Sequence, residues 1–456
     1  MNHETRFCRF ITLIVLAILT LQVVGCAPPI TPPLPVEPDS PIDQPPPKGG
    51  AAGVKVLHSE MQRDTSPDVL PADLEELVAG NRAFAADFYQ AVRDRDGNLF
   101  YSPYSLSTAL AMTYAGAREN TAIQMADVLH LSLPQERLHP AFNALDLELA
   151  SRGSQSGGAD EPQPFQLSVA NSLWAQYDYP FLAEFMDLLA RNYGAGLRLV
   201  DFALAPEPAR QEINDWVYRE TQEKISDLIP EGAIDELTRL VLANAIYFKA
   251  DWIQPFAKES TQDAPFTLLD GSQVQVSMMA HAKPRSLNYA SGEGFQAVEL
   301  PYVGDQVSMV VLVPDKGRFA DFEAGLDGAF LGAILSSLEP RTVDLRLPKF
   351  NFESEYDLRD TLSAMGMPDA FDADLADLSG MDGTQLLYIG NVFHKAFVAV
   401  DEKGTEAAAA TAVVVQLESA IMQDIVLTVD RPFIFLIQDK PSGAILFMGR
   451  VLDPTE

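Results

Sequence analysis

The chain has 456 residues, of which 47% are hydrophobic, so it can bury one large core or two or three smaller ones. Its 64 acidic residues outnumber its 32 basic residues and give a formal charge of −32. Because no basic stripe interrupts this excess, nucleic acid and a bare anionic membrane surface are poor partners. The acidic charge itself indicates a soluble surface.

The first 25 residues are predicted to be an export signal. Arg6 and Arg9 precede an apolar run over residues 10–24, which is shorter than the about 20 residues of a transmembrane helix. The run ends in Val-Val-Gly before Cys26, and this resembles a bacterial lipobox, whose cysteine carries lipid and becomes the mature N-terminus. An ordinary cleavage site with an incidental cysteine is the alternative.

Cysteine content and proline content extend this prediction. Cys8 and Cys26 are the only cysteines, so the exported chain is expected to hold neither a free thiol nor a disulfide. Residues 26–70 are predicted to be a flexible stalk, because residues 27–50 contain ten prolines and favour extended polyproline II. We expect a domain over residues 71–456, held at the cell envelope or cell surface through lipid on Cys26.

Helical patterns dominate the first half of this domain. Apolar residues recur at helical spacing from about Pro71, with Asp73 as the predicted N-cap. Residues 105–117 form a second predicted helix, rich in small and apolar side chains. Ile213, Trp216 and Val217 mark a third.

Strand patterns dominate the second half. Residues 307–313 are continuously apolar, which is typical of a buried strand, and residues 343–347 alternate as a half-exposed strand does. Residues 433–437 and 444–451 are predicted to form a β-hairpin. Helices that come first and strands that follow, without βαβ alternation, predict an α+β fold with mainly antiparallel sheets.

The sequence provides no motif for catalysis or metal binding. It contains six histidines, namely His3, His58, His130, His139, His281 and His394, without HExxH or Cys/His metal spacing. The stretch that comes nearest to a nucleophile elbow, residues 153–157, has Gln155 where the serine should stand. We therefore expect no enzyme activity, no metal and no cofactor.

Residues 400–418 have conflicting local preferences. Four alanines after Thr405 and Glu406 favour helix, whereas the β-branched residues 411–415 favour strand. A short surface helix that leads into a strand is one interpretation. A second is a functional compromise between two conformations.

The stretch that begins at Glu402 resembles the hinge of the reactive-centre loop of inhibitory serpins, nearly residue for residue. Other motifs resemble the same family in the same order, and the resemblance covers about residues 72–454. They are Asn98-Leu-Phe-Tyr-Ser-Pro-Tyr-Ser105, Leu242-Ala-Asn-Ala-Ile-Tyr-Phe-Lys-Ala-Asp-Trp252, Leu347-Pro-Lys-Phe350, Leu378-Ser-Gly380, His394-Lys395, Asp430-Arg-Pro-Phe433 and Phe447-Met-Gly-Arg450. Ala250 departs from the pattern, since the family usually has glycine there.

The resemblance implies about eight to nine helices over three β-sheets, with an exposed reactive-centre loop. It implies a suicide substrate: a serine or cysteine protease cleaves the loop, is held as an acyl-enzyme, and is trapped when the hinge inserts into the central sheet. The resemblance implies a monomer whose partner is the target protease, and this monomer would contact membrane through the N-terminal lipid only. A non-inhibitory serpin, acting as a binding or scaffold module, is the alternative.

The site residues follow from the same resemblance. The hinge comprises Glu402, Lys403, Gly404, Thr405, Glu406, Ala407, Ala408, Ala409 and Ala410. Strand alternation would place Thr405, Ala407, Ala409, Thr411 and Val413 on one face, and none of these is charged. Ser102, Ser105, Asn244 and His394 match the shutter, where the sheet parts, and Trp252 matches the breach at its top. We expect Asn244 and His394 to bond each other.

The position of the scissile bond stays open. The usual loop length, counted forward from the hinge, puts the bond between Glu418 and Ser419. Counting back from Pro432 gives Ile421, because this loop is about three residues longer than usual. Glu418 would attract proteases that prefer acidic side chains, whereas Leu417 or Met422 would suit chymotrypsin-like pockets.

Overall fold

The computed structural model describes residues 54–152, 165–405 and 425–456. This part of the chain contains ten α-helices, of which three have seven residues or fewer. The helices are α1 Pro71–Val92, α2 Pro103–Tyr114, α3 Glu119–Leu129, α4 Gln135–Arg152, α5 Ala183–Tyr193, α6 Pro206–Glu220, α7 Phe319–Ala324, α8 Gly328–Ser336, α9 Arg359–Met365 and α10 Ser379–Asp382. None of these helices is long and apolar enough to cross a membrane.

Seven strands form one sheet, here called the central sheet. In spatial order they are β1 Lys55–Leu57, β4 Leu197–Val200, β3 Gln166–Gln176, β5 Leu240–Asp251, β14 Gly404–Thr405, β13 Asn391–Val400 and β12 Phe350–Asp357. β5 and β13 pair directly in parallel, from Val241 beside Asn391 to Tyr247 beside Phe397. This junction is called the seam.

The other ten strands form a second hydrogen-bonded network. They are β2 Leu99–Tyr101, β6 Gln262–Thr267, β7 Gln273–Ala280, β8 Arg285–Gly292, β9 Phe295–Pro301, β10 Val307–Pro314, β11 Glu339–Pro348, β15 Ile425–Thr428, β16 Phe433–Asp439 and β17 Ile445–Val451. The first half of β11 pairs with β8 and its last three residues pair with β7. β11 therefore joins β8 and its neighbours to β7 and β6, and β15 runs parallel to β11.

The predicted strands form the middle of the core. All eight residues of β10 are buried, and β11 alternates between buried and exposed side chains from Val343 to Leu347. β16 and β17 form the predicted hairpin, and each of their residues is buried. On one face of the central sheet α6 packs Ile213, Trp216 and Val217 in a cluster with Trp174 of β3. The α+β class is confirmed.

Two helix starts differ from the prediction. Asp73 is not the N-cap of α1, because Pro71 already occupies the first helical turn and Leu70 precedes it without a side-chain cap. The Asp73 carboxylate instead accepts hydrogen bonds from the guanidinium of Arg137 on α4. α2 begins two residues before the predicted start, since Pro103 favours the first position of a helix.

Residues 54–70, which the sequence assigns to the predicted stalk, contact the rest of the domain in the structure. Residues 54–70, here called the arm, include β1, whose residues pair antiparallel with β4 at the edge of the central sheet. The Asp64 amide donates to the carbonyl of Arg191 at the end of α5 over 2.9 Å. The arm therefore packs against the domain that was predicted to begin at residue 71.

Candidate functional site

The first residues of the hinge already lie inside the central sheet. β14 runs antiparallel to both neighbours, with Thr405 opposite Ala250 of β5 and opposite Val400 of β13. Gly404 is required at this place, because a Cβ on it would overlap the backbone carbonyl of Ala250. β14 is therefore a two-residue wedge at one end of the seam.

Thr405 is held at the tip of this wedge by an aromatic pair. Its side chain is 1% exposed, and its hydroxyl lies 2.7 Å from the hydroxyl of Tyr302. The ring of Tyr302 stacks on that of Trp252 at 4.4 Å between centroids. The Trp252 indole N–H donates to the carbonyl of Asp401 over 3.1 Å. The backbone N–H of Trp252 donates to the carbonyl of Lys403 over 2.6 Å. Trp252 thus fixes the backbone from which the hinge starts.

Glu402 forms an ion pair beneath the hinge. Its carboxylate lies 2.6 Å from the ammonium of Lys349, which precedes β12, and it accepts a 2.7 Å hydrogen bond from the Thr261 hydroxyl. Burial opposes ionisation of the carboxyl, but the bonds from Lys349 and Thr261 outweigh it and hold the pKa of Glu402 below its usual value. Glu402 is therefore ionised at neutral pH.

The four predicted shutter residues lie together across the seam. Asn244 on β5 and His394 on β13 stand side by side in register, and the His394 ring donates from Nδ1 to the side-chain oxygen of Asn244. The other ring nitrogen, Nε2, accepts from the Ser102 amide over 3.1 Å. Asn244 donates to the hydroxyl of Ser105 over 2.8 Å.

The two hydrogen bonds fix the state of His394. One ring nitrogen donates and the other accepts, which is the pattern of a neutral imidazole with its proton on Nδ1. Complete burial lowers the pKa of His394 to about 3, so the ring is neutral at physiological pH. A neutral His394 closes the seam without placing a charge in the core.

Ser102 and Ser105 connect the seam to helix α2. The Ser102 hydroxyl caps the helix by accepting from the Ser105 amide over 3.1 Å, and it donates to the carbonyl of Leu446 on β17 over 2.6 Å. The hydroxyl of Ser105 donates to the side chain of Asn171 on β3 over 2.9 Å. The polar network therefore reaches from β3 through β5 and β13 to β17.

Several members of the site were not predicted. Asn171 completes the network around Asn244, whose side-chain amide donates to the Asn171 side-chain oxygen. The sequence feature that could have indicated Asn171 is its polar side chain in the middle of β3. Tyr302, Thr261 and Lys349 lie 103, 141 and 53 residues from the hinge residues that they contact, and nothing in the local pattern marks them.

The remaining predicted positions lie outside the described residues. They are the lipid attachment residue Cys26, the hinge residues Glu406, Ala407, Ala408, Ala409 and Ala410, and the candidate scissile residues Leu417, Glu418, Ser419, Ile421 and Met422. Within the described ranges no group of three or more His, Cys, Asp or Glu side chains could hold a metal ion.

Comparison with known proteins identifies the family. The family model for "Serpin (serine protease inhibitor)" matches residues 79–454. The chain is 40% identical to the leukocyte elastase inhibitor of Equus caballus and 38% identical to that of Homo sapiens, and each match covers 84% of this chain and 100% of the relative. The native-state crystal structure of tengpin, a thermophilic serpin, superimposes with a TM-score of 0.76 at 27% identity over 88% of this chain and 100% of tengpin.

Proposed function

The chain belongs to the serpin family, and we propose that it inhibits serine proteases, with cysteine proteases as a second class of target, by acting as a suicide substrate. One observation carries this proposal: β14 already separates β5 from β13 at one end of the seam. A strand that runs antiparallel to two parallel neighbours can bond to both of them, so the seam accepts a continuation of β14.

The register of β14 predicts where each loop residue goes. Thr405 stands opposite Ala250 and Val400, so the same register continued down the seam puts Thr411 opposite both Asn244 and His394. The parallel pairing ends at Val241 and Asn391, which residue 414 reaches. Residues 405–414 therefore fill the seam.

This register explains the composition of the loop. Residues on the face of Thr405 enter the buried side of the sheet, and Thr405, Ala407, Ala409, Thr411 and Val413 are small or uncharged. The Asn244–His394 bond breaks when the strands part, and the Thr411 hydroxyl arrives at the same level with one donor and two acceptor sites. Insertion then buries no charge and leaves no unpaired group at the seam.

The chemistry is that of an interrupted proteolysis. The protease nucleophile attacks the carbonyl carbon of Glu418, the peptide bond to Ser419 breaks, and Ser419 leaves with a new amino group. The ester, or thioester, that remains needs water to release the enzyme. If the freed strand inserts first, the acylated protease is carried along the seam, a distance of about 37 Å for the length of β5 at 3.4 Å per residue. The chain itself supplies the substrate and is not the enzyme.

The adduct is the direct test. The full-length chain is incubated with a panel that contains elastase-like proteases, since the relatives carry that name, together with glutamate-preferring and chymotrypsin-like proteases. We expect a denaturant-resistant adduct on a gel with at least one of them. Mass spectrometry of the released C-terminal peptide then distinguishes Glu418–Ser419 from cleavage after Leu417, Ile421 or Met422.

One outcome would replace the proposal by its alternative. If the proteases cut within residues 417–422 and never form an adduct, the chain is a substrate with a serpin fold, and a binding or scaffold function follows. A variant with a blocked seam, Thr405→Arg, is the matched control and should be cut without adduct.

We further propose that the inhibitor is exported and held at the cell envelope by lipid on Cys26, as a monomer. The support is the sequence: an apolar run behind Arg6 and Arg9, a lipobox-like end, and no other cysteine than Cys8. The Cys26→Ser variant should lose the mass of the lipid and leave the membrane fraction. An unchanged mass and membrane fraction would refute lipid attachment and leave inhibition untouched.

A further inference from the structure

The arm, residues 54–70, is bound to the domain by more than its short strand. The hydroxyl of Ser59 donates to the carboxylate of Asp187 on α5. The Arg63 guanidinium binds two residues of α4: Nε donates to the side-chain oxygen of Asn143 over 2.8 Å, and Nη2 donates to the carboxylate of Asp146 over 2.6 Å. Three residues of β1 alone would pair only weakly, so these side chains hold the arm.

The partners of Arg63 are themselves placed for this contact. Asn143 is fully buried, and its amide donates to the backbone carbonyl of Asp64 in the arm over 2.7 Å. Asp146 accepts a 2.7 Å hydrogen bond from the hydroxyl of Tyr104 through its other oxygen. Asp146 therefore bridges an arm residue and a residue of α2.

Tyr104 connects this contact with the seam. It lies in the first turn of α2, between Ser102 and Ser105, which bond His394 and Asn244. A continuous chain of hydrogen bonds thus leads from Arg63 through Asp146 to the helix turn that closes the seam. At the same time β1 holds β4, on the side of the sheet that includes β5.

We propose that the docked arm slows loop insertion and that Arg63 is the residue that positions the arm on α4. Opening of the seam must move a block of four strands away from β13, namely β5, β3, β4 and β1. Helix α4 packs on α1 and lies outside this block. The arm spans these two parts, because β1 belongs to the block and Arg63 is fixed to α4. Opening must strain or release the arm, so the docked arm favours the closed sheet. This inference rests on the proposed loop insertion.

The first test measures spontaneous insertion of the uncleaved loop. The full-length chain is held at a temperature below its unfolding transition, without any protease, and conversion to a form that resists denaturant is followed with time. We expect Arg63→Met to shorten the half-time about tenfold, which is the effect of losing one charged hydrogen bond. Arg63→Lys, which keeps the charge beside Asp146, should restore most of the wild-type half-time. The exposed arm residue Glu60 provides the control, Glu60→Ala, which should behave as wild type.

A purely structural role would give a different result. If Arg63 only stabilised the fold, Arg63→Met would lower the unfolding temperatures of the native form and of the loop-cleaved form equally. The variant would not convert faster to the denaturant-resistant form. That outcome for Arg63→Met, or a wild-type half-time, would overturn the proposal.

A second measurement needs no variant and no target protease. The loop is cut by a protease that forms no adduct, and amide hydrogen exchange at β1 is compared between the native and the cut chain. We expect faster exchange at residues 55–57 after cleavage and insertion. Equal protection in the two forms, with insertion shown by raised thermal stability, would overturn the proposal even if adduct formation had been demonstrated.

Discussion

His394 donates its Nδ1 proton to the side-chain oxygen of Asn244, and this bond joins the two parallel strands between which the loop is proposed to insert. Both groups are completely buried, so the bond cannot be exchanged for water without opening the sheet. Asn244 and His394 therefore close the native sheet. When an inserting strand separates them, the Asn244 side-chain oxygen and the His394 Nδ1–H lose each other as partners. The register assigns Thr411 as the residue that satisfies them.

The first prediction concerns Thr411. Thr411→Val keeps the shape and the strand propensity of the side chain but removes its hydroxyl. The free energy of unfolding of the inserted form should fall by about 1–3 kcal/mol, because the Asn244 side-chain oxygen and His394 Nδ1 stay unpaired. The native state should keep its stability. Guanidinium unfolding of the native and the loop-cleaved forms measures both. Equal losses in the two forms would mean that the register is wrong, and Ala410→Ser, on the opposite face, is the control.

The second prediction concerns the tip of the wedge. Thr405→Arg should convert the inhibitor into a substrate, because Thr405 is already buried against Tyr302 in the closed sheet, so the guanidinium would displace β14, the strand from which insertion continues. The ratio of cleaved chain to adduct on a gel measures this change. Thr405→Ser, which keeps the hydroxyl, should retain adduct formation. An unchanged ratio for the arginine variant would contradict the role given to Thr405.

The third prediction concerns the ion pair of Glu402 and Lys349. Glu402→Lys puts two ammonium groups together where the Glu402 side chain is buried but that of Lys349 is 37% exposed, and we expect a loss of roughly 1–3 kcal/mol in the free energy of unfolding. The double exchange, Glu402→Lys with Lys349→Glu, should recover part of this loss. Urea unfolding of both single variants and the double variant gives the coupling energy. Strictly additive losses would show that the pair does not hold the hinge.

The fourth prediction is a loss of stability in mild acid. Burial lowers the pKa of His394 to about 3 and that of His139 to about 4, whereas an unfolded histidine has a pKa of about 6.5. Below about pH 6.5 the unfolded chain therefore binds more protons than the native chain, and the free energy of unfolding falls as the pH drops. Each histidine can contribute up to about 1.4 kcal/mol per pH unit.

Urea unfolding at a series of pH values between 8 and 4 checks this sign. The curve should be level above about pH 6.5. Burial lowers the pKa of His281 as well, and the His139→Gln variant, which removes one of these histidines, should lose stability less steeply between about pH 6 and pH 5, where most carboxylates remain ionised. A wild-type curve that stays level down to about pH 5 would contradict neutral burial of both rings.

The sequence predicted those parts of the fold in which local pattern and burial agree. β10 is a continuous apolar run, the β16–β17 hairpin has two apolar segments around a polar turn, and α6 shows Ile213, Trp216 and Val217 at helical spacing. Each of these patterns consists of residues close together in the chain, so the element could be predicted without knowing its tertiary contacts.

Features set by contacts between distant residues were missed. β1 has only three residues and follows a proline-rich stretch, so its strand character comes entirely from the exposed edge of β4. Asp73 has the right side chain for a cap, but Arg137 attracts its carboxylate. The hinge contacts made by Tyr302 and Thr261 likewise depend on the folded chain.

The directions of β1 and β14 decide how far the start of the described arm lies from the start of the proposed insertion. Lys55 pairs beside Leu199, so Val54 leaves the sheet at the end where β5 begins, whereas Thr405 enters at the end where β5 finishes, opposite Ala250. Val54 of the arm and Thr405 of the hinge therefore lie at opposite ends of the central sheet. Under the proposed insertion, a captured protease would travel from the end of β5 toward its beginning, which is the end at which Val54 leaves the sheet.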